Sequence, residues 1–344
     1  MYSLFPRILE SLRAGQRVAL ATVVRRRGSL PMASNAKLLV LPDATFVGTV
    51  GGGCLEAEVY AAGTELLRNG GARLEEFHLN EVEAETGGHV CGGTVEVFIR
   101  AFEADADTIA FVEAAVALQD SDPELLLTTR LDPAAAAHLL LGSRGIEAEL
   151  GDTGGIEFSR HRGFSDDRAA RWFPEPVRPA PLLLVFGAGH CGVAIGEAAA
   201  GAGFRVWMLE DRPAFLQPQA MPWADQLHRV DFTALPELPL GSTTSVVIVT
   251  RGHDHDLVVL RQLLDTETGY LGMIGSQRKR ALFRTILGDE GRDLDAFERL
   301  RSPMGLDIGA ETPAEIAVSV VAELVASRRQ QSTQDESRLR ALRA

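Results

Sequence analysis

Cysteine is scarce in this chain. There are three in 344 residues, at positions 54, 91 and 191, and no two stand at a spacing that suggests a pair. That argues against a disulfide framework and for a reducing compartment, so the expected location is the cytoplasm. No cysteine–histidine spacing of the zinc-finger kind is present, so any special cysteine would act as a thiol. No basic run is long enough to track phosphates, and the formal net charge is −13, so nucleic acid is not an expected partner. No apolar run reaches membrane-spanning length, and the opening MYSLFPRILESLRAG has the pattern of an amphipathic helix and not of a signal peptide. Hydrophobic residues make up 46% and charged residues 24%, as in soluble globular proteins, and the length suffices for two domains.

What is present centres on residues 182–211. The apolar run over 182–186 predicts a buried parallel strand. It ends in Gly187-Ala188-Gly189-His190-Cys191-Gly192, a G-x-G-x-x-G, and an alanine-rich helical stretch follows. A second strand over 205–209 leads to Glu210-Asp211. This is the first β-α-β of a Rossmann unit: the glycines allow the tight turn, the approach of a pyrophosphate and close helix packing. Glu210 or Asp211 would accept a ribose hydroxyl. Packing alone is the competing reason for the glycines, because fold and function separate often.

Upstream, a helix is predicted over 5–13, and strands over 18–24, 37–41 and 46–50. The third strand runs into Gly51-Gly52-Gly53-Cys54-Leu55-Glu56 and a helix over 55–67. Three glycines between a strand end and a helix start can aim N–H groups at an anion. Cys54 would sit where the helix dipole favours a thiolate. An anion-binding loop with a reactive sulfur and a tight turn with a small buried cysteine are equally good readings here. A second cluster, Gly87-Gly88-His89-Val90-Cys91-Gly92-Gly93, precedes a strand over 94–99. A helix is expected over 107–118 and a strand over 125–129. Residues 133–141 are alanine-rich and read as helical, or as a loop with a helical turn. Four prolines between 173 and 181 mark a stiff linker.

Beyond Asp211, strands are expected over 226–230, 245–250 and 270–274. The second ends in Arg251-Gly252-His253-Asp254-His255-Asp256, and the third in Gly275-Ser276-Gln277-Arg278-Lys279-Arg280. Ligands of an open parallel sheet sit beyond its carboxyl ends, so these motifs should share one rim. His253 and Asp254 read as polar rim residues in preference to metal ligands, for want of a third distant ligand. Ser276, Arg278 and Lys279 stand at a helix start after a glycine, where they could contact a phosphate or simply cap and solvate the helix. Thr312-Pro313-Ala314-Glu315 is a capping box opening a helix to about residue 326, followed by a polar, frayed tail. The expected layout is an N-terminal domain over 1–173, a linker over 174–181, a Rossmann-like domain over 182–327 and a tail over 328–344.

In this order the motifs resemble the XdhC/CoxI family, the accessory proteins of xanthine dehydrogenase and related molybdenum hydroxylases. The match is carried by Gly28-Ser29-Leu30-Pro31, Gly48-Thr49-Val50-Gly51-Gly52-Gly53-Cys54-Leu55-Glu56, Cys91-Gly92-Gly93, Phe186-Gly187-Ala188-Gly189-His190 and residues 250–256. It continues through Gly272-Met273-Ile274-Gly275-Ser276-Gln277-Arg278-Lys279, Pro303-Met304-Gly305-Leu306-Asp307-Ile308-Gly309 and Pro313-Ala314-Glu315-Ile316-Ala317. The resemblance implies an α/β protein: a C-terminal Rossmann-type parallel-sheet domain preceded by an N-terminal α+β XdhC/CoxI domain. It implies binding of the molybdenum cofactor (molybdopterin), support of its sulfuration by a cysteine desulfurase, delivery to an apo molybdenum hydroxylase, and a homodimer. Carried over by motif, Cys54 is the first choice for a molybdenum or sulfur contact and Cys91 the second, a soft-ligand argument, while Cys191 is assigned to packing. The alternative is an oxidoreductase using NAD(P) in the Rossmann domain, with His253 as proton donor and bulky His190 as an obstacle. Three places depart from the family pattern: Met32 where arginine is common, Asn35 where glycine is usual, and Arg251-Gly252 ahead of His253 where Thr-His-x-His is expected.

Overall fold

The structure, a computed structural model, describes residues 4–28, 32, 35–79, 93–119, 121–122, 124–153, 157–159, 163–165 and 171–343. Residues 180–337 form one compact unit and the rest of the described chain another.

The first unit opens with α1 (Phe5–Arg13), whose Phe5, Ile8, Leu9 and Leu12 recur at helical spacing and are all buried. Then come β1 (Val18–Gly28), β2 (Lys37–Val40), β3 (Phe46–Thr49), α2 (Gly53–Asn69), β4 (Ala72–Leu79), β5 (Gly93–Phe102) and α3 (Ala106–Gln119). The five strands form an antiparallel sheet in the order β3-β2-β1-β5-β4. Strand periodicity sends alternate residues to opposite faces. Ala19, Ala21, Leu38 and Val40 pack with Leu55, Val59, Ala62 and Leu66 of α2, whereas Leu20, Leu39 and Phe102 pack with α1 and α3. Gly63 lets α2 approach: a Cβ there would lie 2.8 Å from Val40 Cγ2.

The chain continues through β6 (Leu126–Arg130), β7 (His138–Gly142), β8 (Gly145–Leu150), β9 (Glu157–Ser159), β10 (Gly163–Ser165) and β11 (Trp172–Pro176). A second antiparallel sheet runs β11-β6-β7-β8, and β9 pairs with β10. Two expectations are corrected here. The alanine-rich stretch 133–141 is a short 3₁₀ turn, Pro133–Ala135, capped by Asp132, and then strand β7. Every residue of β7 is buried, and pairing with β6 and β8 holds it extended although four alanines precede it. The expected linker over 174–181 is shorter, because Trp172–Pro176 is an edge strand on β6, a position in a sheet that tolerates proline.

The second unit contains β12 (Leu182–Phe186), α4 (His190–Gly201), β13 (Arg205–Glu210), β14 (Gln226–Arg229), β15 (Thr244–Ile248), α5 (His253–Leu263), β16 (Tyr270–Met273), α6 (Gln277–Asp289), α7 (Leu294–Glu298) and, up to residue 337, α8 (Pro313–Arg343). Its five strands are all parallel, in the order β14-β13-β12-β15-β16. This is the doubly wound Rossmann order, with the switch point between β12 and β15. Both sheet faces are covered by apolar layers, which is why β12 and β15 read as continuous hydrophobic runs. Helix α8 runs to Arg343 and does not stop near 326 as expected. No glycine or proline follows Pro313 in this stretch, so nothing in it breaks a helix.

Candidate functional site

In the first unit, the described ends of three sequence motifs, Gly28, Thr49 and Gly93, lie toward one end of the five-stranded sheet. Thr49 at the end of β3 is in register with Lys37, and Lys37 with Thr22 on β1. Strand β1 runs on to Gly28, which faces Gly93 at the start of β5. Ser29-Leu30-Pro31 and residues 80–92, with His89 and Cys91, lie outside the described residues.

The triple-glycine loop closes this end. Gly51, Gly52 and Gly53 have φ of 130°, 78° and 63°, conformations that side chains disfavour. A Cβ on Gly51 would strike the Met32 methyl at 2.5 Å, whereas on Gly52 or Gly53 it would meet no atom of the described residues within 4 Å. No side chain among the described residues caps α2 at Gly52. Among the described residues nothing therefore covers the N-terminal N–H groups of this helix. Cys54 is exposed in the first turn of α2. Glu56 turns back to hold the loop: it accepts the Thr49 hydroxyl and the Val50 N–H at 3.3 Å, while Thr49 Oγ1 accepts the Gly51 N–H at 3.1 Å. Glu56 thus fixes the backbone in front of Cys54. Thr49 is a positioning residue that the sequence did not single out, because its partner lies across the turn.

In the second unit the fingerprint has its expected shape. Gly187 has φ of 114°, and a Cβ there would lie 2.4 Å from the Val249 carbonyl oxygen. A Cβ on Gly192 would lie 1.9 Å from the Gly187 carbonyl oxygen, so only glycine lets α4 pack on the loop. Gly189 faces open space, no side chain among the described residues caps α4, and His190 is exposed at its start.

The acidic pair behaves differently from a ribose reader. Glu210 is 1% exposed. It accepts the Ala188 N–H at 2.8 Å and is gripped by Arg212 through Nε at 2.8 Å and Nη2 at 3.0 Å. Arg212 also stacks on Phe215, 3.7 Å from the ring centre. Asp211 takes its partner from the loop after β15: Arg251 Nη1 donates to both of its carboxylate oxygens. That hydrogen bond holds the Asp211 carboxyl down to about 2.

Around β15 and β16 the predicted residues divide. His253 and Asp254 are exposed in the first turn of α5, and Ser276 and Arg278 are exposed at the start of α6, where Ser276 caps the Lys279 N–H at 3.2 Å. Lys279 is a correction: it is 6% exposed, and its ammonium points inward to Asp256 and to the Ile274 carbonyl oxygen, 2.8 Å away. Asp256 also accepts the Thr250 hydroxyl at 2.7 Å and the Thr250 N–H at 3.1 Å. Gly275 makes room for the lysine stem, since a Cβ there would lie 2.7 Å from Lys279 Cδ. Lys279 therefore ties two strand ends and two helix starts together and does not face a phosphate. Among the described residues no three histidine, cysteine or acidic side chains are grouped to hold a metal ion.

Two family models match this chain. One describes the XdhC and CoxI family and covers residues 11–78; the other describes the XdhC Rossmann domain and covers residues 183–324. The chain belongs to the XdhC/CoxI family. Curated relatives extend the likeness beyond these segments. A probable xanthine dehydrogenase subunit of Bacillus subtilis (strain 168) is 27% identical over 336 residues, covering 94% of this XdhC/CoxI chain and 98% of the relative. The molybdenum cofactor insertion chaperone PaoD of Escherichia coli (strain K12) is 23% identical over 321 residues, 93% of this chain and 86% of PaoD. The uncharacterized protein YqeB of the same organism is 28% identical over 309 residues, 89% of this chain but 43% of YqeB. A crystal structure of a xanthine dehydrogenase from Bacillus halodurans shares the fold, with a TM-score of 0.75 and 24% identity over 96% of each chain.

Proposed function

We propose that this XdhC/CoxI protein is a maturation factor that binds the molybdenum cofactor as cargo, supports its sulfuration and passes it to a xanthine dehydrogenase-like molybdenum hydroxylase. The observation that carries the reading is the loop before α2. An exposed thiol, Cys54, follows three glycines in a helix first turn that no described side chain caps, and no described residue stands where side chains on Gly52 and Gly53 would be. Its N–H groups suit the phosphate of a pterin cofactor, and a thiolate is a soft ligand suited to molybdenum. The near full-length likeness to an insertion chaperone supports the same role. Cysteine desulfurase and apo-hydroxylase are the partners in this reading, and the working state is a homodimer in the cytoplasm. The protein acts as a carrier and not as a catalyst.

The test is molybdenum and pterin analysis of protein expressed with molybdate and purified without oxygen, wild type beside Cys54→Ala. Molybdenum and pterin in rough proportion to wild-type protein, with several-fold less in the variant, is the expected result. Equal retention by both would remove Cys54 from the site. Absence from both, with no uptake of added cofactor, would overturn the carrier role.

The second reading, an NAD(P)-dependent oxidoreductase, is favoured by the Rossmann strand order and the open start of α4 at Gly189. The engagement of Glu210 and Asp211 with arginines stands against it.

A further inference from the structure

In an open parallel sheet a dinucleotide lies across the carboxyl ends of the strands, its pyrophosphate on the loop after the first strand and its ribose diol on the acid after the second. Here those places are the Gly187-Ala188-Gly189 loop after β12 and Asp211 after β13. Strand β12 stands between β13 and β15, so the ends of β13 and β15 are two strand spacings apart, about 10 Å. Arg251 follows β15, yet its guanidinium reaches the Asp211 carboxylate. An ion pair joining those two ends must pass the end of β12, along the path a dinucleotide would take. The neighbouring acid offers no substitute, because Glu210 is buried and bound to Ala188 and Arg212. Arg251 is also one of the two residues that stand before His253 where the family pattern has Thr-His.

We propose that Arg251 is a specificity-determining residue of the Rossmann crevice: by holding Asp211 across the end of β12 it disfavours NAD-type dinucleotides, whose ribose diol needs that carboxylate. The ion pair is partly solvated, with side chains 37% and 23% exposed, so the barrier is modest and removing it should change affinity by a small factor.

The experiment titrates NAD, at low ionic strength, into four forms of the full chain: wild type, Arg251→Ala, Arg251→Gln and Arg251→Ala/Asp211→Ala. Each is first checked for an unchanged melting transition, and the glutamine variant serves if the alanine variant does not fold. Removing the guanidinium is expected to tighten NAD binding about fivefold over wild type, and the double variant is expected to lose that gain. NAD binding by the Arg251 variants no tighter than by wild type, including no binding by any form, would overturn the assignment. So would a gain that survives in the double variant. The outcome does not depend on molybdenum content, so it fails or succeeds separately from the carrier role.

Discussion

Lys279 shows how far residue identity carries and where it stops. A basic residue three places after a glycine–serine helix start reads as a phosphate contact, and its neighbours Ser276 and Arg278 are exposed as that reading requires. Only the path of the side chain distinguishes Lys279. Missing Cβ volume at Gly275 lets its stem fold inward to Asp256. Sequence spacing records neither the direction of a side chain nor a partner 23 positions away. Cys54 is the opposite case, since strand, glycines and helix already placed it in a first turn. The inward pair makes a sharp prediction. Lys279→Met would leave Asp256 buried with Thr250 but without its cation, and should destabilise the second unit by about 3 kcal/mol. Denaturant unfolding followed by Trp207 and Trp223 measures this. Adding Asp256→Asn should recover part of the loss; a double variant as unstable as the sum of the singles would show that the two groups do not act as a pair.

Elements were legible where periodicity was strong. The helix over 5–13 and the parallel strands needed only their own residues. Strand β7 was hidden because alanines precede it and because its burial comes from β6 and β8, which are distant in pattern. That burial has a chemical consequence at His138, the first residue of β7 and 3% exposed. Its ring stacks on Phe102, with centroids 5.3 Å apart, and its Nδ1 pairs with the Thr129 hydroxyl at 2.9 Å. Lys37 lies nearby, bound to Glu175 at 2.7 Å and to Thr22, and so does Arg100, whose own pKa burial lowers to about 10. Burial, and then the charges of Arg100 and Lys37, hold the His138 pKa well below its usual 6.5. The folded protein therefore binds fewer protons than the unfolded chain below that value. Stability is full above about pH 6.5 and falls as the pH drops, by at most about 1.4 kcal/mol per pH unit for this group. Denaturant unfolding at about pH 5 and about pH 7.5 should show the loss, and His138→Phe should reduce it. An unchanged pH slope in that variant would assign the effect to other groups.

At the scale of the whole molecule, the order of the motifs along the chain was readable, and the family follows from it. Less readable was what each motif does once folded: the ribose-type acids are engaged by arginines, and the glycine loop is held by Glu56. These pairings lie between 2 and 40 positions apart, and one sequence shows neither the direction of the near side chains nor the partners of the distant ones. If the thiol loop and the Rossmann crevice serve different ligands, two variants should part cleanly. Cys54→Ala should lower molybdenum content and leave the NAD titration as in wild type, whereas Arg251→Ala should tighten NAD binding and leave the molybdenum content as in wild type. A change in both properties in either variant would mean that one ligand uses both sets of residues.

The prolines of β11 bear on how copies of this chain can associate. Val177 N–H bonds to Leu125 and Leu131 N–H to Arg171, so the odd-numbered residues of this segment turn their backbone groups toward β6. The even-numbered ones face the outer edge of the sheet, and two of these three in β11 are Pro174 and Pro176, which have no N–H to offer. At those two positions the edge has no donor for another strand, a common guard against aggregation. Two copies therefore gain little by pairing at this edge, and replacing both prolines with threonine should raise fibrous self-association, read by light scattering and electron microscopy.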